Sequence, residues 1–301
     1  METIEFTFRA VPRRYPDLVE RHAVPAVCPT QGVESRETVV ARVQQLLGHW
    51  RRRVGELAEV GWPPFAGTKA RLARSRALNC QPAFALTSQP TEPCRDPVAC
   101  PFCHARRVRA TWGRIDRAFF PAGAPEASHG GTGDRSGFDL VERKAIVTMG
   151  QAVGDEDALL RLVESKAARG PERMREWMAM PGMRGACERL HVRVTSDGHW
   201  LLQFRAICMV SPDFELPSVW VNGSRRREDG TTILLRARRK KRPSRRDVML
   251  AVALTCEYPD FLLSGEVPAV LSYLRVREAL RRGGLKVARS CGVLRKRAAW
   301  E

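Results

Sequence analysis

Three cysteines fall within ten residues in 94-CRDPVACPFCHARR-107, and a fourth, Cys80, stands fourteen residues before them. Thiolates are soft ligands, and a Cys-x2-Cys pair such as Cys100 and Cys103 offers two of them from one tight turn, which Pro101 helps to fix. With Cys94 and Cys80 the set makes a closed tetrahedral site for Zn²⁺, structural because four protein ligands leave no position for water. His104 is an alternative to Cys80 as fourth ligand, although adjacent residues rarely both reach one metal, and a group of buried free cysteines is the reading without a metal. The remaining cysteines, Cys28, Cys187, Cys208, Cys256 and Cys291, are scattered singly through apolar context and read as core.

A second stretch with unexplained chemistry is 200-WLLQFRAICMVS-211. It reads as a core strand, yet Gln203 and Arg205 break the apolar run at alternate positions, and a period of two puts both on one face. A third is the run 224-SRRREDGTTILLRARRKKRPSRR-246, where Arg225, Arg226, Arg227, Arg236, Arg238, Arg239, Lys240, Lys241, Arg242, Arg245 and Arg246 surround a predicted strand. A β-ribbon with basic flanks suits a polyanion: each phosphate it neutralises on a duplex contributes about −0.9 to the log-log salt slope. Such contacts supply affinity with little sequence information, and a solvated hairpin without a partner is the simpler alternative.

The whole chain agrees with this charge. In 301 residues, 51 Lys and Arg against 33 Asp and Glu give a net charge of +18. That field favours nucleic acid as a partner and opposes a cationic one. The 44% hydrophobic content is that of a folded protein and argues against disorder. The N-terminal residues METIEFTFRAVPRRYP have no apolar h-region, and no window approaches the roughly 18 apolar residues of a membrane span. A cytoplasmic protein without a membrane partner is expected.

The elements that must position these residues follow from periodicity. A short strand is expected at Ile4–Phe8. Ser35 can cap a helix whose stripe is Val39, Val43, Leu46, Leu47, Trp50, Val54 and Leu57. From Gly61 to Pro101 the pattern dissolves, apart from the short apolar run 82–87, into a small subdomain held by something other than hydrophobic packing. A helix follows with Val108, Trp112, Ile115 and Phe119 on one side and Arg106, Arg107, Arg109, Arg114 and Arg117 elsewhere. After a Gly-rich loop at 121–137 come a strand at 144–149, a helix over about 157–180, and a hairpin of 188–195 and 199–210 around Ser196-Asp197-Gly198. A strand at 231–237 precedes a mostly helical stretch from 245 to about 282. The domain reading is an N-terminal helical region (1–60), a zinc subdomain with a basic helix (61–120), and an α+β core (138–301) whose mainly antiparallel sheet is flanked by helices.

Several of these residues together resemble a family. Cys80, then Cys94-x5-Cys100-Pro101-x-Cys103 with Arg106-Arg107 in the following helix, is similar to the N-terminal zinc motif of plasmid rolling-circle replication initiators, the Rep proteins of the HUH endonuclease class. The strand at 144–149, then Gly185, Glu188 and Gly198-His199-Trp200, resemble segments of that family's core. The tail 260-DFLLSGEVPAVLSYLRVREALRRGGLKVARSCGVLR-295 resembles its C-terminal part, and the similarity would span residues 75 to 297. The resemblance implies a histidine pair on one strand face holding a divalent metal, and a tyrosine on a later helix that attacks the scissile phosphate.

At the positions the resemblance assigns to the histidines stand Gln203 and Arg205, and at that of the tyrosine stands Leu254. An amide binds Mg²⁺ or Mn²⁺ poorly and a guanidinium repels it, so no catalytic Mg²⁺ or Mn²⁺ is expected. His191 and His199 are nearby but lie on the preceding strand and in the turn. Tyr258 is the fallback nucleophile, with a packed helix-end aromatic as the plainer role; Tyr273 is the other downstream tyrosine. The expected protein is therefore a degenerate member that binds DNA without nicking it, in replication or control of a plasmid or mobile element, with replication proteins or a second copy as further partners. Arg205 could grip a phosphate where the family holds a metal. Arg106, Arg107 and the tail residues Arg281, Arg282, Lys286, Arg289 and Arg295 could extend the basic surface. The alternatives are an active initiator with a displaced tyrosine and a zinc-stabilised adaptor for protein or RNA.

Overall fold

A computed structural model describes residues 36–63, 65, 71–80, 94, 100–121, 136–148, 156–194, 200–220, 223–226, 232–259 and 261–295. The strand expected at Ile4–Phe8, the run 82–87, most of the loop 121–137, the turn 196–198 with His199, and Cys28, Arg227 and Asp260 lie outside them.

In chain order the elements are α1 (Arg36–Glu59), α2 (Arg71–Leu78), α3 (Pro101–Phe119), β1 (Asp139–Thr148), α4 (Glu156–Ala168), α5 (Gly170–Met178), β2 (Met183–Val194) and β3 (Trp200–Val210). They continue with β4 (Gly223–Arg226), β5 (Thr232–Lys240), α6 (Arg245–Thr255), α7 (Phe261–Ser264), α8 (Val267–Arg282) and β6 (Ala288–Gly292). The fold is α+β, with helices flanking a six-stranded sheet of order β4-β5-β1-β3-β2-β6. Every pairing in it is antiparallel. The chain forms two compact units, one of residues 1–110 with 257–274 and one of 111–256 with 275–301. Among the described residues no helix is long and apolar enough to cross a membrane.

In the first unit, α1 buries Leu46, Leu47, Trp50, Val54 and Leu57 as its stripe predicts. Pro101 opens α3, where its missing N–H would have had no helical partner. The helix α2 has no counterpart in the sequence reading, because eight residues with only Ala77 buried show no apolar periodicity.

In the second unit, the helix expected over 157–180 is broken into α4 and α5 at Gly170-Pro171. Proline cannot donate to the preceding turn and starts a new helix instead. One face of the sheet carries Val141, Ala186, Ala206, Cys208 and Val210 against Met174 and Trp177 of α5, with Phe214 and Trp220 closing the cluster. The Arg143 guanidinium lies over the rings of Trp177 and Trp220, at 5.1 and 5.0 Å from their centroids. β1 begins five residues before its expected start, at Asp139, whose carboxylate anchors Arg239 at 2.6 Å and accepts from the Arg242 backbone N–H at 3.0 Å. At the start of α6, Ser244 and Asp247 cap one another's backbone reciprocally.

β4 and β6 are too short and polar to show in the sequence, and pairing makes them strands. On β6, Gly292 adopts φ +57 directly opposite Gly185. A Cβ on Gly292 would sit 2.2 Å from the Arg184 carbonyl oxygen. The site therefore excludes side chains on both conformational and steric grounds. Gly292→Ala is expected to destabilise the second unit by about 2 kcal/mol or more, read as a lowered urea midpoint; an unchanged midpoint would show that the edge strand adapts without cost.

Candidate metal centre and the polar face of the central strand

The four cysteines singled out by spacing come together. Cys80, Cys94, Cys100 and Cys103 place their Sγ atoms within 4.8 Å of one another, with Cys94 to Cys103 at 3.4 Å and Cys80 to Cys103 at 3.6 Å. A tetrahedral zinc with Zn–S bonds of about 2.3 Å requires sulfur separations of about 3.8 Å, so the donor set fits such an ion. Two elements bring the ligands in. Cys100 and Cys103 bracket the first turn of α3, whose amide ends favour thiolates. Cys80 follows α2, with its N–H bonded to the Ala77 carbonyl at 3.3 Å.

The thiols strongly affect one another. Hydrogen bonds from Cys100 and then Cys103 hold Cys80 far below the usual thiol range. Cys103 is lowered to about 7, chiefly by Cys100. Burial pushes Cys100 up. Thiolate character shared within a buried cluster is what a cation of zinc's kind would stabilise.

His104 does not join this group, which among the described residues consists of the four cysteines. Its buried ring instead meets Tyr258 edge-on, with centroids 5.3 Å apart. Tyr258 is itself buried, so its phenol is packed within the first unit.

The polar pair on β3 has a different surrounding. Gln203 and Arg205 are 4% and 7% exposed. The Arg205 guanidinium donates to Gln203 Oε1 at 2.9 Å and to the Leu254 carbonyl oxygen, in the last turn of α6. His191, directly opposite Gln203 on β2, approaches the Thr255 carbonyl at 2.6 Å through Nε2. The structure gathers Gln203, Arg205 and His191 at the end of α6, where Leu254 takes part through its backbone. The carbonyls at a helix C-terminus lack intrahelical donors and carry partial negative charge, so a guanidinium and an imidazole satisfy them well.

Lys144, Arg205 and Arg189 are cross-strand partners, and Arg236 faces Lys144 from β5, so four cations stand at one register across four strands. Toward β5 that face opens to solvent, with Arg236, Arg238 and Lys240 exposed. Lys240 pairs with Asp247. Lys241, Arg242, Arg245 and Arg246 are also exposed, with Arg245 salt-bridged to Asp116 at 3.3 Å. Arg107 is exposed and Arg106 half-buried, and both have interaction partners.

Two other basic residues of the sequence, Arg239 and Arg289, bond carbonyls within the fold. Besides its pair with Asp139, Arg239 donates to the carbonyls of Phe214 at 2.7 Å and Pro212 at 2.6 Å. Arg289 donates to Ala167 at the end of α4 at 3.0 Å. Arg225 and Arg226 lie on β4. The fork of Arg173 on Glu188, at 2.6 and 3.2 Å, went unnoticed in the sequence, where the two stand fifteen residues apart in different elements.

No family model matches the chain, and neither a curated protein nor a solved structure matches it.

Proposed function

We propose that this protein binds DNA through its basic surfaces and does not nick it, a degenerate relative of rolling-circle initiators acting in replication or control of a plasmid or mobile element. The observation that carries the reading is the state of the central strand. Where the resemblance calls for two metal-binding histidines, Gln203 and Arg205 are buried and bonded to each other, and Arg205 also to the end of α6. A guanidinium at that place repels a divalent cation. The four-cysteine site would hold zinc as a structural ion, with Cys80, Cys94, Cys100 and Cys103 as its ligands. The net charge of +18 and the exposed cations of β5 and the α6 start supply the attraction for phosphates.

The test incubates the protein with supercoiled plasmid DNA and Mn²⁺ and looks for a covalent protein–DNA adduct, alongside anisotropy titrations of duplex DNA, single-stranded DNA and RNA across a salt series. The expected result is salt-dependent DNA binding without an adduct. An adduct would establish an active initiator with an unconventional nucleophile. Binding confined to RNA, or no salt-dependent binding at all, would favour the adaptor instead.

A further inference from the structure

Resting on the nucleic-acid-binding reading, we infer that α2 is a second phosphate-contacting surface, presented only when the four-cysteine site holds its metal. The helix, 71-RLARSRAL-78, exposes six consecutive residues, 71 to 76, and among them Arg71, Arg74 and Arg76. Arg71 and Arg74, three apart, share a helix face. Between them Leu72 is 61% exposed, an apolar side chain left in water beside the cations.

A solvated surface helix ordinarily mixes both signs of charge. Here the sequence from 60 to 91 contains no Asp or Glu. Arginine's planar fork matches phosphate oxygens, so a polynucleotide backbone suits the array better than a diffuse counterion cloud does.

The link to the metal comes from how α2 is held. Eight residues are too few for a helix to be stable by itself, and burying Ala77 alone gives it little packing. Its anchors are gathered at its C-terminal end. Trp50 Nε1 donates to the Ala77 carbonyl at 2.7 Å and Arg51 Nε to that of Leu78 at 3.2 Å. Two residues past the helix, Cys80 enters the thiol cluster. A metal ion bound there would join the end of α2 to the start of α3, which carries Cys100 and Cys103. Without it, among the described residues, the helix keeps the hydrogen bonds from Trp50 and Arg51, the burial of Ala77 and an interaction of Arg76, and loses the tie through Cys80 to α3.

The experiment compares wild type with the Arg71→Ala/Arg74→Ala/Arg76→Ala variant, using a random-sequence duplex and single strand, with poly-glutamate as an acidic polypeptide control. Each protein is tested zinc-loaded, after chelation, and after zinc is restored. The substituted residues are exposed, so zinc content and circular dichroism should match wild type. The variant is expected to bind duplex about tenfold more weakly near physiological salt, with a log-log salt slope shallower by about 2 to 3. Chelation should weaken wild type by a similar factor, reversibly, and weaken the variant no further.

Equal affinity and slope in a wild type and variant that both bind DNA would overturn the inference while leaving the proposed function standing. A wild type that binds no oligonucleotide removes both. Loss confined to poly-glutamate would make the partner an acidic protein and overturn the phosphate assignment. A further loss on chelating the variant would overturn the coupling to the metal.

Discussion

Cys103→Ser is expected to abolish stoichiometric zinc binding and to destabilise the first unit by about 3 kcal/mol or more. Cys103 lies at the centre of the cluster, within 3.4 Å of Cys94 and 3.6 Å of Cys80, and a hydroxyl is a far poorer zinc ligand than a thiolate. Structural zinc in small modules contributes about 10–16 kcal/mol of apparent binding free energy at neutral pH, which makes the expected loss a modest fraction of what is at stake. The direction with pH follows from the thiols. Cys80 and Cys103 are held below the usual range, so the stability their thiolates supply is complete above the unfolded thiol pKa and is lost as pH falls through their folded values, about 7 for Cys103. Bound metal, needing the same thiolates, is released in the same direction. Colorimetric zinc release on acidification, with thermal melting in parallel, measures both. Cys291→Ser, at the half-buried edge strand, is the control that should keep its zinc. Full zinc content in Cys103→Ser would rule out the four-thiolate site.

Arg205→Ala is expected to cost about 3 kcal/mol of stability and to leave the salt slope of DNA binding unchanged. It strands the Leu254 carbonyl and the Gln203 amide oxygen in a buried setting, where each unsatisfied group costs about 1–3 kcal/mol. It also removes a cation from the C-terminal end of α6. Arg205→Lys keeps the charge but loses the fork that reaches two acceptors at once, and should recover only part of the loss. Urea midpoints of the variants, set beside DNA titrations, separate this role from a phosphate grip. A stable Arg205→Ala protein with weakened DNA binding would mean that the side chain works at the surface.

The cysteine site was legible because its information lies in residue type and spacing, and α1 and the β3 hairpin because their burial is periodic. The purpose of Gln203 and Arg205 was not. Period two placed them on one face, but what meets that face is the backbone of Leu254, and a carbonyl has no letter in a sequence. His191 was undervalued for the same reason: weighed as a metal ligand, it serves the neighbouring carbonyl of Thr255. Basic residues were read as a reservoir for phosphates, although Arg239 and Arg289 satisfy carbonyls within the fold. α2, β4 and β6 could not be read from periodicity because they exist through their attachments, among them the hydrogen bonds from Trp50 and Arg51 and the Cys80 thiol for the first, and ladder pairing for the others.

Helix ends in this chain are closed by cations that arrive from far along the sequence. Arg53 of α1 donates to Leu263 and Gly265 at the end of α7, across 210 and 212 residues, and Arg289 reaches back 122 residues to α4. On a ribosome adding about 5–20 residues per second, Arg53 would therefore wait on the order of 10–40 s for its acceptors to be made. Until then its guanidinium must stay hydrated and α1 must keep an open flank. The first unit cannot close until α7 has been made, after β1 to β5 of the second unit and before β6, so five of the six strands are synthesised while α1 still waits for its partner.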